Sequence, residues 1–184
     1  MSELFRFTVS EIHARLKNGE ISPLDCLDAL EIRISQVESK VNALPTLCFD
    51  RAGAHARALM KKPMGERGLL AGLPVPIKDL NDVAGVRSTQ GSPIYADRIA
   101  PTSDIMVTHL EKNGAIVYAM SNTPEFGAGA NTFNEVFGRT LNPWNTARSA
   151  AGSSGGAAVA LATGTAWLAH GSDLGGSLRN PASF

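Results

Sequence analysis

The sequence predicts an α/β protein in which N-terminal helices precede part of a mixed, largely parallel sheet with covering helices. Amphipathic helices with clear capping residues fill the first part of the chain, and short apolar runs alternate with helical segments in the second. Glycine is unevenly distributed, because residues 1–70 hold four of the 18 glycines and residues 71–184 hold the rest. We therefore expect one domain over residues 1–184, with a helical leader at 1–70 and a glycine-rich α/β body at 71–184.

The leader opens with two helices whose ends are marked in the sequence. Thr8 and Glu11 have the spacing of a capping box, and Gly19 stands where the first helix should end. Ser22 is the expected N-cap of the second helix, with Pro23 in its first turn. These signals predict two helices joined by a short turn.

The second helix should bury one face, and a third helix should follow it. Apolar residues recur along the second helix at steps of three and four: Leu27, Leu30, Ile34, Val37 and Val41. The segment at 50–62 is rich in alanine and arginine and predicts the third helix, which ends before the glycines of MGERG.

The body alternates predicted strands with predicted helices. Three short apolar runs predict strands, at 73–77, 115–120 and 166–169. Thr102 or Ser103 can cap a helix that ends at Gly114, and small residues at 155–162 predict a helix packed closely against the sheet. Strands that alternate with helices favour a largely parallel sheet.

Composition and charge exclude several classes of partner. Apolar residues make up 43% of the chain and charged residues 18%, as in a globular protein. Lys+Arg 17 balance Asp+Glu 17, which removes the electrostatic case for nucleic acid or an anionic membrane and favours a small neutral partner. Residues 152–172 carry no formal charge over a length that could span a bilayer, but their serines, glycines and threonines predict a buried element instead.

Cysteine and histidine usage gives no sign of a metal site or a disulfide framework. Cys26 and Cys48 are the two cysteines of the sequence, and its four histidines are scattered. The first residues, MSELFRFTVSE, lack the basic and apolar regions of a signal peptide, so we expect a cytoplasmic protein.

Two loops rich in serine and glycine flank the predicted helix at 155–162. They are GSSGG at 152–156 and GSDLGGS at 171–177. Successive glycines leave backbone N–H groups open, which is what an oxyanion or phosphate site requires. The alternative is that both loops are simple flexible turns.

Lys78 directly follows the apolar run at 73–77. An ammonium group there is either solvated at the strand end, the commoner case, or drawn into a polar site. A lysine in a desolvated site can have its pKa lowered enough to accept a proton from a hydroxyl. Serine nucleophiles need such a base, and serine–lysine arrangements are known variants of the hydrolytic triad.

The GSSGG loop also matches G-x-S-x-G, the nucleophile elbow of α/β-hydrolases, with Ser154 as the nucleophile. An elbow must follow a buried strand, whereas residues 142–148 have the composition of a polar loop. His170 and Asp173 also follow in the reverse of the expected order. The context therefore disfavours an elbow.

Several motifs together resemble the amidase signature family. They are GLPVPIKDL at 72–80, SDIMVTHLEKNGAIVYAMSNTPEFG at 103–127, NPWN at 142–145, AGSSGGAA at 151–158 and GSDLGGSLRNPASF at 171–184. Ala151 stands where the family usually has glycine, and Ala157 where serine is frequent. Family members run well beyond twice this length, so the resemblance implies a single, incomplete amidase domain with a truncated amidase signature fold, in which 71–184 is part of the catalytic α/β core.

The resemblance implies a role for each matched catalytic residue. Lys78 would be the general base and Ser153 the cis-peptide serine that relays a proton. Ser177 would be the acylated nucleophile, and Ser154 would be structural. No metal and no organic cofactor are implied.

The resemblance also implies groups that would bind the substrate. The oxyanion hole would consist of the backbone N–H groups of Leu174, Gly175, Gly176 and Ser177. Gly127 and Gly129 lie in a candidate wall of the substrate pocket.

The implied function is that of an amide hydrolase, which releases ammonia or an amine from a small carboxamide through an acyl-enzyme. The glutaminase-type component of a tRNA-dependent amidotransferase has the same motifs, but it usually continues its lysine motif as KDN, whereas Leu80 follows Lys78 and Asp79 here. An inactive truncated fragment is the third interpretation. Residues 1–184 alone would then expose apolar surface and a sheet edge, which favour homo-oligomers or aggregation over amidase activity.

Overall fold

Three helices form the leader in the computed structural model, which describes residues 3–184. They are α1 (Val9–Asn18), α2 (Pro23–Val41) and α3 (Phe49–Met60). The predicted capping box of Thr8 and Glu11 is present, and Ser22 caps α2 in a second capping box completed by Asp25. Gly19 has a φ of 72°, a left-handed conformation that glycine adopts without strain. The predicted leader helices are confirmed.

A mixed three-stranded sheet forms the centre of the molecule. Its strands are β1 (Thr46–Leu47), β2 (Pro74–Lys78) and β3 (Ile116–Ser121), in the order β1-β3-β2. β2 and β3 are parallel, and β1 pairs with β3 in the antiparallel direction. The helix α4 (Ile105–Lys112) lies between β2 and β3 in the chain, as a parallel crossover requires. The predicted α/β class with a mixed sheet is thus confirmed.

The remaining elements are short. A second sheet pairs β4 (Phe133–Asn134) with β5 (Gly138–Arg139), and α5 (Gly155–Ala162) and α6 (Arg179–Ser183) complete the body. Single 3₁₀ turns lie at Leu4–Arg6, Met64–Glu66, Pro93–Tyr95 and Glu125–Gly127. The bounds of α5 are those that the sequence predicts. Its small residues let the helix pack closely on the sheet.

The two faces of the central sheet pack against two apolar clusters. Ile116 and Tyr118 of β3 face the larger cluster, which contains the leader helices and α5. Val117 and Met120 face the smaller cluster, which includes Val107 of α4. Residues 116–118 alternate with the two-residue repeat of a strand. The repeat is interrupted after Tyr118, where the register with β2 shifts and Ala119 also faces the larger cluster. The sheet is therefore covered on both sides. The buried polar residues Lys78 and Ser121 lie at the ends of β2 and β3.

Two expectations from the sequence are wrong. Residues 166–169 form no strand. The backbone reaches β2 just after this segment, where the N–H of His170 donates to the carbonyl of Pro76 at 3.0 Å. Proline has no N–H to return the bond, so a ladder cannot continue there. The N-cap of α4 is Asp104 rather than Thr102 or Ser103, because the Ser103 hydroxyl accepts instead from the N–H of Ala84.

None of the helices within residues 3–184 is long and apolar enough to cross a bilayer.

Candidate active site

Lys78 is the last residue of β2, at the carboxyl end of a strand that is buried along its whole length. Its side chain is fully buried, with 0% relative exposure. Lys78 pairs in register with Ser121 of β3. A lysine so enclosed needs polar partners, because burial of an unpaired ammonium group is costly.

Ser153 reaches Lys78 because glycines bring the start of α5 against the sheet. A Cβ atom at Gly156 would lie 2.4 Å from the backbone N of Asn122, and one at Gly155 would lie 2.3 Å from the Thr132 hydroxyl. Only glycine permits this approach. The peptide bond between Gly152 and Ser153 is cis.

The Lys78 amine contacts two serine hydroxyls. Its Nζ donates to Ser153 Oγ at 2.6 Å and to Ser172 Oγ at 3.0 Å. Burial lowers the pKa of Lys78 from its ordinary value to about 8, and the nearby negative charge of Asp173 opposes that shift. The neutral amine, which can accept a proton, is therefore accessible near neutral pH.

Ser172 was not singled out by the sequence. It occupies the same glycine-rich loop as Ser177, five residues earlier. A small hydroxyl residue in that loop was the available signal, but serine in a loop is too common to identify a lysine partner on its own.

Ser177 lies next to the Ser153 loop, although its hydroxyl does not meet Ser153. The carbonyl of Ser177 accepts from the N–H of Ser154 at 3.0 Å, and the residue is half-buried. Among residues 3–184, the Ser177 hydroxyl has no hydrogen-bond partner, and Ser153 Oγ is bonded only to Lys78. The structure thus brings two of the three predicted catalytic side chains into contact and holds the third nearby through its backbone.

The Ser154 hydroxyl is buried and bonded to backbone. Its Oγ donates to the carbonyl of Ser172 at 3.2 Å and accepts from the N–H of Ser172 at 3.3 Å. His170 is not its partner, because the Nδ1 atom of His170 accepts from the backbone N–H of Lys78 at 3.4 Å. Ser154 therefore ties the two serine–glycine loops together, and the contacts of an elbow nucleophile are not formed.

The predicted oxyanion hole needs one correction as the loop stands. The N–H of Gly176 donates to the carboxylate of Asp173 at 2.7 Å and is not free to bind a substrate oxygen. Within residues 3–184, the N–H groups of Leu174, Gly175 and Ser177 have no acceptor, and Leu174 and Gly175 are exposed. Three of the four predicted donors are available.

The predicted pocket wall consists of two differently placed glycines. Gly127 has a φ of 67°, and a Cβ there would lie 2.5 Å from Cδ1 of Leu80, so Gly127 packs on the segment that follows Lys78. Gly129 lines an open cavity of about 380 Å³ together with Pro124 and Phe133. Neither cavity nor wall includes Ser177.

An apolar cavity of about 460 Å³ lies elsewhere, between α5, α6 and the loop that carries Trp144. Lys78, Ser153 and Ser177 do not line it. Over residues 3–184, no three His, Cys, Asp or Glu side chains are grouped so as to hold a metal ion.

Comparison with known proteins gives one consistent family. A family model described as Amidase matches residues 25–184. The chain is 40% identical over 182 residues to the A component of glutamyl-tRNA(Gln) amidotransferase from Geotalea daltonii, covering 98% of this chain and 38% of that protein. It is 39% identical over 181 residues to indoleacetamide hydrolase of Bradyrhizobium diazoefficiens, covering 97% of this chain and 34% of that protein. The chain thus spans little more than a third of the length of these relatives.

Solved structures give the same result. A 6-aminohexanoate cyclic dimer hydrolase superposes with a TM-score of 0.88 at 30% identity, covering 97% of this chain and 36% of that one. A bacterial aryl acylamidase of the amidase signature enzymes superposes with a TM-score of 0.86 at 33% identity, covering 96% and 37%. The motifs, the fold and these matches agree: the chain belongs to the amidase signature family.

Proposed function

We propose that this chain carries the catalytic residues of an amide hydrolase that works through a serine-bound acyl intermediate. The observation that supports this most strongly is the buried 2.6 Å contact between Lys78 Nζ and Ser153 Oγ. A lysine whose pKa is lowered to about 8 can serve as a base toward a hydroxyl. In this proposal Lys78 is the general base, Ser153 the relay and Ser177 the nucleophile.

Acylation begins with proton transfer through the relay. Neutral Lys78 takes the proton of the Ser153 hydroxyl, Ser153 takes the proton of Ser177, and Ser177 Oγ attacks the amide carbonyl. The free N–H groups of Leu174, Gly175 and Ser177 stabilise the oxygen that becomes negative. As the C–N bond breaks, the proton returns through the relay to the leaving nitrogen, and ammonia or an amine departs.

Deacylation repeats the sequence with water. The relay removes a proton from a water molecule, the resulting oxygen attacks the ester carbonyl, and Ser177 Oγ leaves and regains its proton. The acid product and the resting serine are formed. The Ser177 hydroxyl must approach Ser153 for either half-reaction, and its lack of a competing partner leaves it free to do so.

The names of the relatives favour a carboxamide substrate. An indoleacetamide hydrolase and an aryl acylamidase both act on amide C–N bonds by name. A small carboxamide also agrees with the zero net charge of the chain, which gives no electrostatic attraction to a charged polymer.

A second candidate is the glutaminase-type component of a tRNA-dependent amidotransferase. The 40% identity to such a protein supports it, and the same relay would then release ammonia from glutamine for a partner protein. Leu80, after Lys78 and Asp79, favours the hydrolase instead. The two candidates differ in whether hydrolysis occurs without partner proteins.

The test uses a full-length protein that carries residues 1–184, purified without partners, and measures ammonia release from glutamine, indole-3-acetamide and aryl amides. A hydrolase turns over at least one of the last two alone, whereas an amidotransferase component shows its turnover only with glutamine and its partners. S177A and K78A should each lower kcat/KM by about a thousandfold. If S177A kept the wild-type kcat/KM and only S154A lost activity, the assignment of Ser177 as the nucleophile would be contradicted.

A further inference from the structure

Asp173 lies in the loop that contacts one end of the proposed relay, the base Lys78, and carries the other, the nucleophile Ser177. It directly follows Ser172, whose hydroxyl accepts from Lys78 Nζ at 3.0 Å. It also precedes Ser177 by four residues in the same loop. The resemblance of the motifs assigned no role to this carboxylate.

The carboxylate of Asp173 is the acceptor around which the nucleophile loop folds. Its Oδ1 accepts from the N–H of Gly176 at 2.7 Å, and its Oδ2 accepts from the N–H groups of Leu178 and Arg179 at 3.1 and 3.2 Å. The Arg179 guanidinium donates to both oxygens at 3.0 Å. These bonds enclose Ser177 on both sides in the chain, so they fix the backbone that carries it.

The same bonds select which backbone N–H groups remain open. Because Gly176 donates to Asp173, the free donors of the loop are those of Leu174, Gly175 and Ser177. A loop without the carboxylate would release Gly176 and lose the turn that directs the other three.

Asp173 is also the charged group that acts on the Lys78 amine. The bonds from Arg179 and the backbone hold the pKa of Asp173 well below its usual range, so this carboxylate stays negative wherever Lys78 titrates. Its charge favours the protonated form of Lys78 and opposes the effect of burial.

The other titratable groups around Lys78 do not supply such a charge. The Asp79 carboxylate faces away into a turn, where it accepts from the N–H and the hydroxyl of Thr89 at 2.9 and 2.6 Å. Burial and the charge of Lys78 lower the pKa of His170, so its ring is neutral at neutral pH. On β3, burial raises the pKa of Tyr118, and α5 contains no titratable residue.

We infer that Asp173 is a positioning residue for both halves of the relay: its carboxylate folds the loop that presents Ser177 and balances the charge on Lys78. This inference rests on the proposed function. The loop effect acts on kcat, and the charge effect acts on the pH at which Lys78 becomes neutral.

Three variants of the full-length protein separate these effects. D173N removes the charge at nearly constant shape, whereas D173E and R179Q keep the negative charge and disturb the loop. We expect kcat to fall roughly tenfold to hundredfold in all three, as for a displaced catalytic group. The acidic limb of kcat/KM should move down by about half a pH unit or more in D173N, and should not move down in D173E or R179Q.

A direct titration keeps this test apart from that of the proposed function. The ¹³Cε resonance of Lys78, assigned through K78R, reports its protonation without turnover. A lower Lys78 pKa in D173N alone supports the inference. An unchanged Lys78 pKa in D173N overturns the inference. A downward shift of the Lys78 pKa in R179Q as large as that in D173N also overturns it. If D173N failed to fold, a downward shift in R179Q would by itself overturn the inference, and the absence of one would support it. Failure of the proposed function itself would give a different result, which is full activity in K78A.

Discussion

The leader and the body of this molecule are built on different principles. In the leader, local signals determine the structure: Thr8 and Ser22 cap helices whose apolar stripe packs on the sheet. In the body, close approaches between distant segments determine it, as where Gly156 meets Asn122. Lys78 and Ser153 are 75 residues apart in the chain and meet at 2.6 Å. Local rules therefore specify the scaffold, and tertiary contacts specify the chemistry.

The largest expected difference concerns one glycine of each region. Gly156→Ala would put a Cβ within 2.7 Å of the backbone atoms of Ala43 and Asn122, and backbone cannot move aside easily. We expect the free energy of unfolding to fall by about 3 kcal/mol, measured by urea denaturation.

Gly65→Ala in the leader is the matched control for this glycine. A Cβ at Gly65 meets nothing within 4 Å, so the change in unfolding free energy should stay within about 1 kcal/mol. Equal effects of the two substitutions would show that close packing does not distinguish the body from the leader.

Lys78 should make the stability of the body depend on pH. Its pKa in the folded protein is about 8, against 10.5 in the reference state, so between these values the unfolded chain binds the extra proton. The free energy of unfolding should therefore rise with pH across that window, by up to about 3 kcal/mol. K78M should lack this rise, as urea denaturation at a series of pH values would reveal.

The control for K78M is K17M, on the exposed side of α1 in the leader. K17M should follow the wild-type pH dependence. If K78M also followed it, the buried amine would not be the source of the rise.

A smaller effect is expected at the N-cap of α1. Thr8→Ala removes the side-chain acceptor for the N–H of Glu11 and should lower the free energy of unfolding by about 1 kcal/mol. Thr8→Ser keeps the oxygen and should change it much less. Because α1 is far along the chain from Lys78, neither substitution should alter kcat, and a large loss of activity would show that leader and body are not separable in this way.

The smallest expected effect concerns the pH dependence of activity, which should not shift when a histidine is replaced. Activity of the full-length protein should rise with pH through an apparent pKa near 8, because Lys78 must be neutral to accept a proton. Each of the four histidines can be replaced with glutamine without moving this limb. His170 is the critical variant, since its ring contacts the Lys78 backbone, and disappearance of the limb there would assign it to the imidazole.

The sequence predicted these two regions to different extents, for physical reasons. Caps and apolar spacing act within one turn of helix, so the leader helices were predictable from residues alone. The strand expected at 166–169 failed because Pro76, about 90 residues earlier, cannot donate a hydrogen bond to it. The sequence alone does not single out Ser172, and it presents Asp173 only as a possible acid of a nucleophile elbow, because their partners, Lys78 and Arg179, become partners only when the loop is folded.

The roles of Lys78, Ser153 and Ser177 came from the family resemblance rather than from local pattern. The residues alone left exposed lysine and flexible turns as the commoner interpretations. The contact of Lys78 with Ser153 depends on the glycines that bring α5 against the sheet, and a glycine in a sequence does not name the segment it will touch.

The most direct test of the central claim is to locate the acylated serine. A full-length protein that carries residues 1–184 is treated with a fluorophosphonate, which reacts with activated serines, and the adduct is mapped by mass spectrometry. Ser153, Ser154 and Ser177 share one tryptic peptide, residues 149–179, so fragment ions must distinguish them. The account predicts a single adduct on Ser177 that is lost in K78A and retained in S154A. An adduct on Ser154, or one on Ser177 that forms equally fast in K78A, would contradict it.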